Sequence, residues 1–255
     1  MTTPEPWMIA LLAVVAGFAG TVDAIAGGGG LITLPALLAA GLPPHVAIAT
    51  NKGQATWGSA ASSISYWRAG LADRKLARLT WPLGAAGAVG GTQLVLLLSP
   101  DALRPVVIAM LIGASVLLFL HKPTRDADDP DLRARRFSVA CLLAFAIGSY
   151  DGFFGPGTGT FLVVGFVALC GRSLIGATAD AKVVNFAANL AALVAFAIAG
   201  NVVWRVALPM AVGQLAGGVF GARLAMRGGA RLVRIGIVVV SGALIVKLVA
   251  QLIAP

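Results

Sequence analysis

Long apolar runs separated by short polar segments make up most of the chain. A helix needs roughly 20 residues, at about 1.5 Å each, to cross a hydrocarbon core of about 30 Å. Six apolar runs approach or exceed this length with few or no charges, and we expect each to form a membrane-spanning helix: 46–66, 79–98, 102–120, 175–199, 206–225 and 232–253. The pattern therefore predicts an all-α polytopic membrane protein.

Four further apolar runs are shorter and are interrupted, at 7–22, 24–40, 137–150 and 153–170. The first two meet at Asp23 and the glycines 27–30, and the last two meet at Asp151-Gly152 and Gly155-Pro156-Gly157. Non-helical backbone at membrane depth is tolerated only inside protein or beside a cavity. Each pair of short runs therefore predicts a broken or re-entrant hairpin.

The two halves of the chain carry the same landmarks in the same order. Asp23 matches Asp151 at an offset of 128 residues, and Lys52 matches Lys182 at an offset of 130. Further matches join Gly27 to Gly155, Gly29 to Gly157, Gly41 to Gly171, Gly70 to Gly200, Pro82 to Pro209, Gly90 to Gly217, Gly91 to Gly218 and Arg104 to Arg231. Glycine is abundant, so the matched Asp, Lys and Pro residues carry the inference of an internal duplication.

Basic residues concentrate between the apolar runs, at 68–78, 122–136 and 223–234. Lys and Arg favour the cytoplasmic side of a membrane, so we place these segments inside and both termini outside. The helix 46–66 then runs inward while its counterpart 175–199 runs outward, which indicates two inverted-topology repeats. Each repeat would contain three long transmembrane helices and one broken hairpin. The expected units are a first repeat at 1–121, a cytoplasmic linker at 122–136 and a second repeat at 137–255.

Composition narrows the class of protein further. The chain of 255 residues is 58% hydrophobic and only 11% charged, which is too little charge to cover a water-soluble globule. We therefore expect a lipid bilayer, and no nucleic acid, as its surroundings despite a net charge of +9. Cys141 and Cys170 lack the spacing of a metal site, and the sequence shows no catalytic constellation. We expect no enzyme activity, no cofactor and no metal.

Few charged residues fall at membrane depth: Asp23, Lys52, Asp151, Asp180, Lys182 and Lys247. A charge at the bilayer centre costs roughly 2.5 kcal/mol or more, so such residues usually face a partner or an aqueous cavity. Lys247 is close enough to a helix end to reach the membrane surface. Lys52 and Lys182 should each lie on the order of 10 Å below opposite faces, which brings both near the midplane where repeats meet.

Polar side chains extend from both lysines at helical spacing. Ser59 lies seven residues after Lys52, and Asn185 and Asn189 follow Lys182 on one helix face. Ammonium, amide and hydroxyl groups together suit a small anion. We expect the substrate to contact Asn51, Lys52, Ser59, Lys182, Asn185 and Asn189. The alternative is that these groups only join helices, with each Lys paired to an Asp.

The residues at the two breaks also allow two interpretations. Asp23 and Asp151 could titrate and serve in coupling or gating, or they could cap the following helices and pair with the lysines. The backbone N–H groups at the half-helix starts favour an anion, and we expect such a site at Gly28, Gly29, Gly157 and Thr158. Close packing is the alternative role of the glycines.

Several segments of the first half form a pattern: Ala26-Gly-Gly-Gly-Gly-Leu-Ile-Thr-Leu-Pro35, Gly41-Leu-Pro-Pro, Ala49-Thr-Asn-Lys52 and Tyr66-Trp-Arg-Ala-Gly70. The second half continues it with Phe154-Gly-Pro-Gly-Thr-Gly-Thr160, with Ala177-Thr-Ala-Asp-Ala-Lys182 and with the stretch 209–221. Outside the linker, the whole chain resembles the TauE/SafE sulfite exporter family. One departure is Asp180 near Lys182, which could weaken anion attraction, pair locally or shift the preference to another substrate.

This resemblance implies a multi-pass transporter of the bacterial inner membrane. The expected activity is secondary transport of small anions, most simply the export of sulfite or of an organosulfur or organic anion, with proton coupling. The main alternative is a passive anion channel, which the sequence barely distinguishes from a transporter. A membrane enzyme and a structural subunit are weaker alternatives, and assembly as a homo-oligomer stays open.

Overall fold

The computed structural model describes residues 4–99, 101–103, 105–107, 109–110 and 130–253. All regular secondary structure in this part of the chain is helical. Its helices of ten residues or more are α1 (Pro6–Ala26), α2 (Gly30–Ala39), α3 (Pro44–Arg68), α4 (Arg74–Leu97), α5 (Pro130–Phe153), α6 (Thr158–Cys170), α7 (Leu174–Ile198) and α8 (Trp204–Ile253). The helical nature of the chain agrees with the sequence prediction.

Local sequence explains where these helices begin. Proline opens α1 and α3, where its missing N–H has no helical partner to lose. Asp73 caps α4 by accepting hydrogen bonds from the N–H groups of Lys75 and Leu76, and Ser173 caps α7 by accepting from Gly176. Capped or proline-opened starts thus determine where α3, α4 and α7 begin, and these helices position the site described below.

The order of helix lengths is the same in both halves of the chain: one long helix, one short helix and two long helices. The packing is also reciprocal, because α1 packs on α8 while α5 packs on α4. Likewise α3 packs on α8 while α7 packs on α4. The first helix of each half therefore lies against the last helix of the other half.

Small residues allow these helices to approach closely. A Cβ atom at Gly213 or Gly217 would meet the backbone of α1, and a Cβ atom at Gly87 or Gly91 would meet the backbone of α5. Such contacts place helix backbones side by side, which is the usual form of helix association in lipid. The two interfaces between first and last helices are built in this way.

Burial in this protein is the reverse of that in a soluble one. Large apolar side chains of α1 are exposed at helical spacing, namely Trp7, Leu11, Val14 and Phe18. Lys52 and Lys182 are instead almost completely enclosed, together with hydroxyl and amide side chains of α3 and α7. An apolar exterior around a polar interior identifies a membrane protein.

The candidate spans differ in part from the sequence prediction. In the described part, Pro6–Ala26 and Leu174–Ile198 each qualify as a span by length and hydropathy, and Arg74–Leu97 qualifies together with Asp101–Val107 at a bend of 120°. The runs 7–22 and 137–150 lie within the longer helices α1 and α5, which continue past Asp23 and Asp151 before each break. Helix α3 is long enough to span a membrane but is less apolar than Pro6–Ala26 and Leu174–Ile198, since it carries many of the polar residues of the site.

Two predicted segments lie largely beyond the described residues. The expected span 102–120 falls there except for 102–103, 105–107 and 109–110, as do the linker residues 122–129, whereas 130–136 form the beginning of α5. The expected spans 206–225 and 232–253 both belong to α8, whose backbone departs from helical geometry at Gly229. The division into repeats and linker stays a prediction.

Candidate functional site

Two breaks in the helices meet at the centre of the site. The first lies between α1 and α2, where Gly27 and Gly28 adopt positive φ angles of 80° and 86°. The second lies between α5 and α6, where Gly155 and Gly157 have φ angles of 96° and 88°. These left-handed conformations favour glycine. Each half therefore interrupts its helices at the same relative position.

The two breaks contact each other through backbone. A Cβ atom at Gly27 would overlap the backbone of Gly159 and Thr160. The hydroxyl of Thr160 donates a hydrogen bond of 2.9 Å to the carbonyl oxygen of Ala26. Glycine at position 27 is thus required twice, once by its conformation and once by the close approach of the opposite segment.

The first buried ion pair joins Lys52 of α3 to Asp151 of α5. The Lys52 Nζ lies 3.0 Å from Asp151 Oδ1, and both side chains are 1% exposed. Lys52 also donates a hydrogen bond of 3.0 Å to the amide oxygen of Asn189. The hydroxyl of Thr158, at the start of α6, donates to the same Asp151 oxygen at 2.8 Å. The pair therefore connects α3 with three helices of the second half.

The second ion pair joins Lys182 of α7 to Asp23 of α1. The Lys182 Nζ lies 2.7 Å from Asp23 Oδ2, with side chains 0% and 18% exposed. The Asp23 Oδ1 accepts a hydrogen bond of 3.1 Å from the N–H of Gly29, which precedes α2. Each lysine is thus paired with the aspartate of the other half, so the charged residues form two crossed pairs.

A small cavity lies between these pairs and the two breaks. Its volume is about 20 Å³, which is room for a water-sized species. The lining residues are Asp23, Gly28, Gly29, Gly30, Asn51, Lys52, Ala55, Asp151, Gly155, Gly157, Thr158, Gly159, Asn185, Asn189 and Gln214. Most of the residues expected to contact a substrate or an anion therefore surround one space.

Two expected site residues do not line the cavity. Lys182 contacts Asp23 but is not among the lining residues. Ser59 is buried, and its hydroxyl donates to the carbonyl oxygens of Ala55 and Thr56 within α3. The N–H of Gly29, expected to face an anion, instead donates to Asp23. Protein groups thus occupy several of the positions that the sequence pattern had suggested for a substrate.

Asn51 is held by a local hydrogen-bond network. Its side-chain oxygen accepts from the hydroxyl of Thr33 at 2.6 Å and from the amide of Gln54 at 2.8 Å. Because Thr33 belongs to α2, this network fastens the short helix after the first break to α3. Asn51 is therefore oriented by the same elements that shape the cavity.

Gln214 of α8 is a cavity residue that the sequence analysis missed. It is buried, and a Cβ atom at Gly20 or Gly58 would collide with its side-chain oxygen. The signal available in the sequence was a single amide side chain in an otherwise apolar run. The glycines that make room for it lie on two other helices. Its role becomes visible only when α1, α3 and α8 are brought together.

Asp180 does not pair with Lys182, its neighbour in sequence. Its Oδ2 accepts a 2.6 Å hydrogen bond from Nε of Arg172, and its Oδ1 accepts one of 2.7 Å from the N–H of Asp73. Asp180 therefore pairs with Arg172, eight residues earlier in the chain, and not with the lysine that the sequence places near it. This carboxylate stays outside the cavity lining.

The arrangement offers charge and hydrogen bonds. Within the described part of the chain, no group of three or more His, Cys, Asp or Glu side chains is placed to hold a metal ion. The lining combines one ammonium group, two carboxylates and several amide groups, together with backbone at two helix breaks. Such a set can bind a small charged solute and a proton.

Comparison with known proteins defines the class of this membrane protein. The family model "Sulfite exporter TauE/SafE" matches residues 12–248. The chain therefore belongs to the TauE/SafE family of membrane transporters. This confirms the resemblance found in the sequence, and no solved structure matches the chain.

Several relatives carry transporter names. The chain is 41% identical over 244 residues to "Probable membrane transporter protein ORF9" of Sinorhizobium sp, covering 96% of this chain and 93% of the relative. It is 38% identical over 244 residues to "Probable membrane transporter protein YfcA" of Escherichia coli (strain K12), covering 96% and 90%. A "Probable membrane transporter protein" of Haemophilus influenzae is 37% identical over 244 residues, covering 95% and 94%. These descriptions are consistent with a protein that is not an enzyme.

Proposed function

We propose that the protein is a secondary transporter of small anions in the bacterial inner membrane. Its activity is the export of sulfite, or of a related organosulfur or organic anion, with proton coupling. The observation that carries this proposal is the buried ion pair of Lys52 with Asp151 beside one cavity, with a second pair, Lys182 with Asp23, at the adjoining helix breaks. Family membership supports the transport class and points to sulfur oxyanions.

The balance of charge supports coupling to protons. Two ammonium groups and two carboxylates leave the site without net charge, so an entering anion meets no uncompensated lysine. Protonation of one carboxylate releases its lysine, which then attracts the anion. Because binding of each species favours the other, thermodynamic linkage couples the anion to the proton.

Alternating access would explain the small size of the cavity. An anion larger than water needs more room than about 20 Å³, so the site must widen before a substrate enters. We propose that residues 1–121 and 137–255 are inverted-topology repeats that move against each other, with 122–136 as a cytoplasmic linker. The reciprocal packing of first and last helices supports this arrangement.

Transport measurements in proteoliposomes test the proposal. We expect the wild-type protein to accumulate labelled sulfite against its gradient when a pH difference is imposed. Replacement Lys52→Ala should abolish this accumulation, whereas replacement of the exposed Lys75 by Ala should not. Rapid downhill flux that ignores the pH difference would identify a passive anion channel instead.

A further inference from the structure

The two crossed ion pairs occupy corresponding positions, yet their surroundings differ. Building on the proposed transport function, we propose that the pairs have separate roles. Lys52 and Asp151 bind the anion and the coupling proton, whereas Lys182 and Asp23 hold the two helix breaks together. The site would then contain one working pair and one structural pair.

Asp23 also lines the cavity and is 18% exposed, but each of its carboxylate oxygens already has a protein partner. One carboxylate oxygen accepts from Gly29 and the other lies 2.7 Å from the Lys182 ammonium group. Both contacts tie α1 to neighbouring elements, because Gly29 precedes α2 and Lys182 belongs to α7. A proton added to either oxygen would disturb an existing hydrogen bond or the ion pair.

Lys182 lies where the two breaks are packed most closely. It is fully buried and lies outside the cavity lining. A Cβ atom at Gly159 would be 3.2 Å from the Lys182 Nζ and 2.8 Å from the Cα of Gly27. An anion could reach this ammonium group only by separating the two breaks, which suits a structural role.

Asp151 is different, because its hydrogen bonds are concentrated on one oxygen. Oδ1 accepts from both Lys52 and Thr158. Oδ2 is buried and has no hydrogen-bond partner among the described residues. Asp151 also lines the cavity, and a proton added to Oδ2 would cost no existing hydrogen bond.

Lys52 is the lysine that lines the cavity. Its ammonium group lies between Asp151 and the amide oxygen of Asn189. When Asp151 is protonated, Lys52 keeps only neutral partners, and a buried ammonium group then favours an incoming anion. The proton and one negative charge would therefore enter the site together.

The other groups around Asp151 leave this assignment intact. The charges that act on it from neighbouring helices are those of Lys52 on α3 and Asp23 on α1. Lys182 on α7 is already paired with Asp23. Helices α6 and α4 contribute uncharged hydroxyl groups. Thr158 of α6 donates to Asp151, and Thr92 of α4 donates to the carbonyl oxygen of Gly152.

Matched double variants test the division of roles. Asp151→Asn with Lys52→Gln and Asp23→Asn with Lys182→Gln each remove one ion pair, preserve net charge and retain amide groups for hydrogen bonding. Binding is measured by thermal shift and calorimetry with sulfite, methanesulfonate and sulfoacetate. Proton uptake is measured with methanesulfonate or sulfoacetate, because their charge is fixed near neutral pH.

We expect the Asp151/Lys52 variant to fold, to lose anion affinity by about tenfold or more and to show no linked proton uptake. The Asp23/Lys182 variant should melt at a lower temperature while it keeps proton-linked binding. The single replacement Asp151→Asn mimics the protonated acid, so it should retain anion binding that no longer depends on pH.

The outcomes separate this inference from the proposed function. If the wild-type protein binds none of these anions, or binds without proton uptake, the proposed proton-coupled transport is contradicted. If proton-linked binding in the wild type survives in the Asp151/Lys52 variant and is lost in a folded Asp23/Lys182 variant, the roles are reversed. Retention of pH-dependent binding in Asp151→Asn would also overturn the assignment, even where the Asp23/Lys182 variant fails to fold.

Discussion

Two helix junctions occupy corresponding positions in the halves of the chain and are closed by different chemistry. In one junction the N–H of Asp73, just before α4, donates 2.7 Å to Asp180 of α7. In the other, the N–H of Val203, just before α8, donates 3.1 Å to the hydroxyl of Thr50 in α3. Both donors and both acceptors are related by an offset of 130 residues.

Only one of these junctions is charged. Asp180 forms an ion pair with Arg172, and the Asp73 Oδ2 lies 3.3 Å from the guanidinium group of Arg136. In the neutral junction, Leu42 stands at the position that corresponds to Arg172. The comparison shows that a backbone contact can persist while its acceptor changes, because an orphan N–H before a helix needs a partner of some kind.

The largest expected effect follows from Asp180→Ala in the charged junction. This change leaves Arg172, which is 19% exposed, without its carboxylate and removes the acceptor of the Asp73 N–H. Breaking a buried pair of this kind costs about 3–5 kcal/mol. Thermal unfolding of the purified protein in detergent should show a clear fall in melting temperature.

A control for this prediction converts the charged junction into the neutral one. Asp180→Thr together with Arg172→Leu removes both charges and retains a hydroxyl acceptor. The double variant should be more stable than Asp180→Thr alone, because no guanidinium is left unpaired. Equal melting temperatures for the single and double variants would show that the ion pair is not the source of stability.

A smaller effect is expected from Thr50→Val in the neutral junction. The substitution keeps the shape of the side chain but removes the hydroxyl that accepts from Val203. An unsatisfied, buried N–H costs about 1–3 kcal/mol. Hydrogen exchange at Val203 should accelerate while exchange at Asp73 stays unchanged. Faster exchange at both amides would mean that the junctions do not act separately.

The smallest effect is expected from Arg136→Ala. The Arg136 side chain is 28% exposed and its contact with Asp73 is long, so solvent screens the interaction. Pairs of this type contribute about 0–1 kcal/mol, and the contribution falls as salt is added. Unfolding measured at low and high salt should therefore show a small loss of stability at low salt that becomes smaller still at high salt. A loss as large as that of Asp180→Ala would place the main anchor of the junction at Arg136.

The sequence was sufficient to predict the polar helices of the site. Helical spacing placed Lys182, Asn185 and Asn189 on one face, and the structure buries all three. The resemblance between the halves also directed attention to Asp23 and Asp151. These predictions succeeded because they depend on local periodicity and on the cost of charge in lipid.

Other features depend on how the helices pack together and could not be predicted from the amino-acid sequence alone. Pairing of Asp23 with Lys52 is as compatible with the sequence as the observed pairing with Lys182. The continuation of α1 through Asp23 was also missed, because an aspartate with a distant partner looks like a helix break when that partner is unknown. Gln214 was missed for the same reason, since its neighbours come from α1 and α3.

The crossed pairing affects how the nascent chain can mature. When α3 leaves the ribosome, the carboxylate that will neutralise Lys52 lies about a hundred residues downstream on α5. Until α5 is inserted, the first four helices carry a lysine and an aspartate without their final counter-ions. The first half is therefore not expected to mature alone, and insertion of the second half completes the charge balance of both.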